Sequence, residues 1–313
     1  MEPMTINDTI IYPGEDALIR LSISRLPSGT EIDIPIHVFR AKEPGPTLLL
    51  MAGMHGDEVN GIETIRRMIR RKVLQPTRGT VLAIPILNIY GFLNFSREVP
   101  DGKDVNRSFP GSATGSLASR VAHRFTHEIL PLVDYGIDFH TGGSSRSNYP
   151  QIRCLLPHAT SEALANAFGA PFILNSKYRP NSLRKQASLS GKTIIVYETG
   201  ESLRFDEAGI NLAIEGTIRV MEHLEMTDEP AVPVSQPPIV FHKSSWIRAH
   251  RAGLFRSFVK NGQPIGRGQQ IGTLADPYGY EMYPVISKVS GYIIGMNNMP
   301  VVNQGDALVH IGR

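Results

Sequence analysis

Cysteine is nearly absent. Cys154 is the only one in 313 residues, so no intrachain disulfide and no all-cysteine metal site can form. A reducing, cytoplasmic setting is the expectation. Long hydrophobic runs are missing too. None approaches the ~18 residues that a membrane span needs. The opening MEPMTINDTI has neither the basic start nor the apolar core of a signal peptide, so no membrane partner is expected. Charge of one sign is equally scarce: the net charge is +3, and Lys and Arg are scattered. No basic stripe interleaved with aromatics appears, which leaves nucleic-acid binding without support. The densest patch, Arg66, Arg67, Arg70, Arg71 and Lys72, lies on a predicted helix and reads as a solvated face.

Hydrophobic residues make up 41% and charged residues 19%, the balance of a globular enzyme with a sizeable core. The length suits two domains. Residues 1–46 read as β, with Ala17–Ser24 and Glu31–Phe39 alternating around a Pro27-Ser28-Gly29 turn, an antiparallel hairpin at a sheet edge. Leu48–Met51 reads as a buried strand, Gly61–Lys72 as an amphipathic helix and Thr80–Leu87 as a second buried strand. Strand, helix, strand is a βαβ unit. Residues 88–111 form a long polar stretch with Tyr90, Phe92, Phe95 and Phe109 in it, a functional loop rather than a disordered one.

Further strands are expected at Val133–Phe139, Ile152–Leu156 and Thr193–Tyr197. Helices are expected at Ser116–Leu130, Ser161–Phe168, Leu183–Leu189 and Gly209–Leu224. Thr227–Pro238 carries Pro230, Pro233, Pro237 and Pro238 and marks a domain boundary. Helical periodicity ends there. Gly253–Leu274 and Gly291–Ile311 resemble each other, an internal duplication of a small β unit.

The chain is organised around Leu48–Asn60, LLLMAGMHGDEVN. His55 and Glu58 form an H-x-x-E pair just past a strand's carboxyl end, where open α/β sheets place their sites. Gly53 and Gly56 allow the tight turn that this needs. Such a pair alone does not establish a metal; a third ligand, a general base and an oxyanion stabiliser must come from elsewhere. His140 and Glu198 also follow apolar strands directly. In a parallel sheet such ends share one edge, so these four residues can converge. His55, Glu58 and His140 would make a His₂Glu zinc site with a fourth position open, and Glu198 is left as general base. Arg97 and Arg107 lie in the loop over that edge, and Asn106-Arg107 can clamp a carboxylate through a fork of donors. His123 and His127, four apart on a predicted helix, lie off its apolar stripe and are excluded.

In order, Gly53–Glu58 (GMHGDE), Asp104–Gly111 (DVNRSFPG), Asp138–Gly142 (DFHTG) and Glu198–Gly200 (ETG) resemble the succinylglutamate desuccinylase and aspartoacylase family. They span most of residues 45–225. The resemblance implies an α/β, zinc carboxypeptidase-like fold, a mixed sheet with helices on both faces. It implies one zinc per chain on His55, Glu58 and His140, with Glu198 as the general acid/base. Arg97 would stabilise the oxyanion, Asn106 and Arg107 would hold the substrate's α-carboxylate, and Arg184 is a candidate further substrate arginine. Residues 1–228 would be the catalytic domain and 229–313 a C-terminal all-β domain resembling a biotinyl or lipoyl barrel. Without the Met-Lys-Met of a biotin carrier, that tail is expected to be a lid or an oligomerisation element, and a homo-oligomer stays open.

The leading expectation is a zinc-dependent amidohydrolase acting on a small N-acyl amino acid. The polar stretches 88–111 and 141–151 supply enough loop to cover the zinc. A zinc carboxypeptidase acting on peptides and a non-catalytic zinc-binding module are the alternatives.

Overall fold

Leu48, Leu49, Leu50 and Met51 are all fully buried, and they alternate between two cores. Leu48 and Leu50 face one side of a sheet, Leu49 and Met51 the other, as the strand period of two requires. A strand covered on both faces reads as a continuous apolar run. Burying each such leucine contributes about 1.5–3 kcal/mol. The computed structural model describes residues 2–228, 230–234 and 236–313.

A small hairpin, β1 (Met4–Ile6) and β2 (Thr9–Ile11), opens the chain. β3 (Ala17–Arg25) and β4 (Glu31–Arg40) form the expected antiparallel hairpin at one sheet edge. β5 (Glu43–Met51), α1 (Val59–Arg71) and β6 (Arg78–Ile84) are the expected βαβ unit, with β5 and β6 parallel. Next come α2 (Ile89–Leu93), a 3-10 turn at Val105–Arg107 and α3 (Leu117–Arg124). β7 (Tyr135–Gly142), β8 (Arg146–Cys154), α4 (Ala159–Phe168) and β9 (Phe172–Asn175) follow. Then come α5 (Leu183–Leu189), β10 (Thr193–Glu201) and α6 (Glu207–His223). Beyond α6 the described residues hold strands only. These are β11 (Ile239–Phe241), β12 (Ser244–Arg248), β13 (Gly253–Ser257), β14 (Pro264–Ile265) and β15 (Gln270–Ala275). β16 (Met282–Ile286), β17 (Gly291–Asn297), β18 (Val301–Val302) and β19 (Ala307–Gly312) complete the chain.

The large sheet runs β12-β19-β17-β8-β10-β7-β5-β6-β4-β3. Its centre, β10-β7-β5-β6, is parallel and its flanks antiparallel. α1, α4 and α6 cover one face through Ile65, Leu164 and Ile214. α3 and α5 cover the other through Val121 and Leu183. The mixed sheet between helices is therefore present. Among the described residues no helix is long and apolar enough to cross a membrane.

One expectation fails here. Residues 141–151 do not form a covering loop. β7 continues to Gly142 and β8 begins at Arg146. The stretch is polar because one face of β8 lines an open cleft while its backbone is paired on both sides, with β10 and with β17.

The duplication is visible in the tail. β13-β14-β15 and β17-β18-β19 repeat one unit, and the middle strand of each pairs with the first strand of the other. The tail has its own core, including Phe255, Ile271, Leu274 and Ile293. It also continues the large sheet: β17 pairs with β8, and β11 with β9. Phe172 and Leu174 pack on Phe241 and Ile294 at this seam. Within the proline-rich boundary, Glu229 and Ser235 lie outside the described residues.

Candidate metal and catalytic centre

His55 and Glu58 lie where β5 hands over to α1. Gly53 takes φ 60°, and a Cβ on Gly56 would stand 1.8 Å from the backbone of Gly91. The turn thus runs pressed against α2, which only glycine permits. Glu58 is the N-cap residue of α1 but makes no side-chain cap bond. Its carboxylate joins two imidazoles instead. Oε1 lies 2.7 Å from His55 Nδ1, and Oε2 lies 2.8 Å from His140 Nδ1. The Thr141 N–H donates to Oε2 at 3.0 Å. His140 and Asp138 are two apart on β7 and share a face; Asp138 Oδ2 is 2.8 Å from His140 Nε2.

Asp104 caps the 3-10 turn by accepting from the Asn106 N–H at 2.7 Å. Its other oxygen accepts from Arg97 Nη2 at 2.8 Å, and Oδ1 is 3.3 Å from His55 Nε2. Arg97 Nη1 sits 3.2 Å from His55 Nδ1 and 3.6 Å from Glu58 Oε1.

These groups suit a cation. His55, Glu58 and His140 are 2%, 3% and 6% exposed, with candidate ligand atoms all within 4.8 Å of one another. Burial disfavours the charge on each, but pairing prevails. His55 and His140 hold Glu58 well below the usual carboxylate range, and Asp138 and Glu58 hold His140 well above the usual imidazole range. Once the imidazoles are neutral, as metal ligation requires, the three carboxylates Glu58, Asp138 and Asp104 face one guanidinium, a surplus of negative charge that a divalent ion would neutralise. Each imidazole turns Nδ1 to Glu58 and its far nitrogen toward an outer carboxylate, the arrangement that orients metal-binding histidines.

β10 lies beside β7, with Glu198 opposite His140 in register. Glu198 Oε2 accepts from Asn148 Nδ2 at 2.6 Å, and Oε1 is 3.2 Å from Arg153 Nη1. A cleft of about 890 Å³ opens over this row, and all eight residues singled out in the sequence line it. Asn106 Oδ1 accepts from the Leu183 N–H at 3.0 Å, so the amide oxygen braces the start of α5 and the NH₂ end is left for a ligand. Arg107 Nη1 donates to its neighbour's carbonyl, Asn106 O, at 2.6 Å. Arg184 Nη2 donates to Ser176 O at 2.7 Å, its guanidinium lies 5.2 Å from the Tyr178 ring, and its Nε is buried without a hydrogen-bond partner.

The sequence model of the succinylglutamate desuccinylase/aspartoacylase catalytic domain matches residues 44–224. The chain belongs to this family. An N-alpha-acetyl-L-2,4-diaminobutyric acid deacetylase from Halomonas elongata is 28% identical, over 99% of this chain and 96% of that protein. A crystal structure of a succinylglutamate desuccinylase/aspartoacylase from Rhodobacter sphaeroides superposes with TM-score 0.83 at 26% identity, over 96% of this chain and 95% of that one. The product-bound ectoine utilization protein EutE (DoeB) from Ruegeria pomeroyi shares the fold, with TM-score 0.85 at 22% identity over 99% and 98% of the two chains.

Within this family member, His123 and His127 stay apart from the centre: their ring centroids lie 4.0 Å apart with planes tilted by 40°, and His127 Nδ1 faces His123 O. The cleft also contains residues that the sequence did not single out: Asn148 and Arg153 from β8, and Ser244, Trp246 and His310 from the tail. Trp246 stacks on His310 with ring centroids 4.5 Å apart and planes 7° apart. Burial, helped by Arg153, pushes the His310 imidazole down to about 3, so it is neutral at physiological pH. Asp-x-His spacing on a strand could have flagged Asp138. No local signal marks Asn148 or the tail residues, because only strand pairing brings them in.

Proposed function

We propose that the protein is a zinc-dependent hydrolase of small N-acyl amino acids or related N-acyl amines, releasing a carboxylate and a free amine in a cytoplasmic setting. The observation that carries this is the placement of Glu198 beside His140 at the edge where His55, Glu58 and His140 converge. His55, Glu58 and His140 would hold the zinc. Bound there, zinc would supply Lewis acidity toward the scissile carbonyl and acidify water toward neutral pH. Glu198 takes the attacking water's proton and delivers it to the leaving nitrogen. Arg97 aims donors at the oxygen that gains charge. Asn106 and Arg107 receive the carboxylate on the amine side, and Arg184 a further polar group. The proposed division is a catalytic unit over residues 1–228 and a β unit over 229–313, with Ser244, Trp246 and His310 of the latter walling the cleft.

The lining charges refine the substrate. Beyond Glu58 and Glu198, which have work of their own, the described lining holds no carboxylate, whereas Arg146, Arg153, Lys177, Arg179 and Arg184 add positive charge. A cationic substrate side chain finds no partner there. N-acetyl derivatives of acidic and neutral amino acids are therefore expected to outpace N-acetyl-diaminobutyrate, and to outpace peptides of the same C-terminal residue. Amine release would be followed across these matched substrates on enzyme assayed for metal. Faster turnover of peptides would leave the carboxypeptidase alternative standing. Faster turnover of the diamino acid would overturn the charge argument. Absence of zinc from active protein would sink the metal assignment.

A further inference from the structure

Across the cleft floor, one row of residues crosses four strands: Glu198 on β10, Asn148 on β8, Gly295 on β17 and His310 on β19. Asn148 pairs with Gly295, and Gly295 with His310. The register slips between Glu198 and Gly200 on β10, which carries Asn148 past its in-line partner and lets its amide reach back to Glu198. Asn148 is 8% exposed, and the contact at 2.6 Å is the shortest that Glu198 makes. The chemistry fixes the amide's orientation, because only its NH₂ end can face an ionised carboxylate. The oxygen end rests on the tail. A Cβ on Gly295 would stand 2.7 Å from Asn148 Oδ1. The strand that presses on Asn148 thus has no side chain where the two meet.

We propose that Asn148 is a positioning residue that holds Glu198 in its working orientation, and that Gly295 of the β tail keeps Asn148 in place. The inference rests on Glu198 acting as the proton carrier. An unsupported Glu198 could swing out of line, and a general base works only within hydrogen-bond reach of the proton that it moves. Asn148 leaves substrate binding to other residues, so its loss appears in kcat. The tail in turn acts on chemistry through a backbone position that never meets the substrate.

The test uses the zinc-loaded, intact chain, four single variants and two double variants, each checked for zinc content and for its far-ultraviolet circular dichroism. Asn148→Ala should lower kcat about 10–100-fold, the range that a hydrogen bond to a charged group supports, with KM within about 2-fold. Asn148→Asp keeps the shape but presents a carboxylate to Glu198, so it should lose at least as much. A packing role would instead leave Asn148→Asp active. In a Glu198→Gln background, adding Asn148→Ala should cost nothing more, since residues that act as a unit are not additive. Gly295→Ala should lower kcat in the wild type and add nothing in Asn148→Ala. Wild-type kcat in Asn148→Asp beside an inactive Glu198→Gln overturns the inference alone. Full activity of Glu198→Gln overturns the base assignment, and the inference with it. Additive losses for Gly295→Ala and Asn148→Ala remove the tail from the proposal.

Discussion

Glu58 shows how much a single side chain can be asked to do. As the N-cap of α1 it would ordinarily bond the helix's free N–H groups, yet its carboxylate is wholly engaged by His55, His140 and the Thr141 N–H. The H-x-x-E spacing made this pair legible, and the Asp-x-His spacing within DFHTG could have marked Asp138 as a neighbour of His140. Neither spacing reveals that Asp138 bonds His140 Nε2. That contact supports a sharp expectation. In Asp138→Asn the proposed ligands stay in place, but the His140 imidazole loses the anion that orients it and raises its basicity. Zinc affinity should fall about 10–100-fold, the usual cost of removing such a partner. Competition with a chromogenic chelator would measure it, and unchanged affinity would separate Asp138 from the metal site. His140→Ala, which removes one of the proposed ligands outright, should lose most of the metal under the same conditions.

At the scale of elements, periodicity located the β5–α1–β6 unit, the short helix α5 and the helix α6 because each buries its apolar stripe locally. It missed β9, whose four residues Phe172–Asn175 are too few to show a pattern, and it misread β8, whose polar residues line a cleft. The Arg-rich face of α1 is more than solvated charge. Arg66 and Arg67 both bind Glu63 at 2.6 Å, and Arg67 Nη1 reaches Glu207 Oε2 of α6 at 2.7 Å. The hydrogen bond from Arg66, then that from Arg67, holds the Glu63 carboxyl down to about 2. A depressed carboxyl contributes stability that is present above its unfolded pKa of about 4.3 and lost as pH falls through the folded one. The unfolding free energy of wild type, from urea titration, should therefore exceed that of Glu63→Gln at pH 7, by about 1 kcal/mol or less because the arginines are partly screened by solvent. The gap should shrink as pH drops from 4 toward 2. A gap that stays constant with pH would assign the effect to packing of α1 on α6.

For the whole molecule, the question is what the tail does for the rest. Its all-β character and its duplicated unit were legible, since the loss of helical periodicity and the repeated Gly spacing are local. Its insertion into the large sheet was not, because pairing of β17 with β8 and β11 with β9 joins segments more than sixty residues apart and leaves no mark on composition. The consequence is testable by ending the chain at Asp228. His55, Glu58 and His140 and their outer carboxylates all lie before that point, so zinc binding should survive. Turnover should not, because Asn148 loses the strand that holds it and the cleft loses Trp246 and His310. The cut also takes from β8 and β9 the tail strands paired with them, β17 and β11, and bares Phe172 and Leu174. An open, apolar strand edge is an association site, so the shortened chain should aggregate at concentrations where the intact chain stays monodisperse. Equilibrium dialysis with zinc, amine release and light scattering would read the three effects separately. Zinc-loaded, monodisperse protein with undiminished turnover would place the whole of catalysis within residues 1–228 and reduce the tail to an appendage. Zinc retained with turnover lost would mean that the seam between β8 and β17 belongs to the working parts of the enzyme.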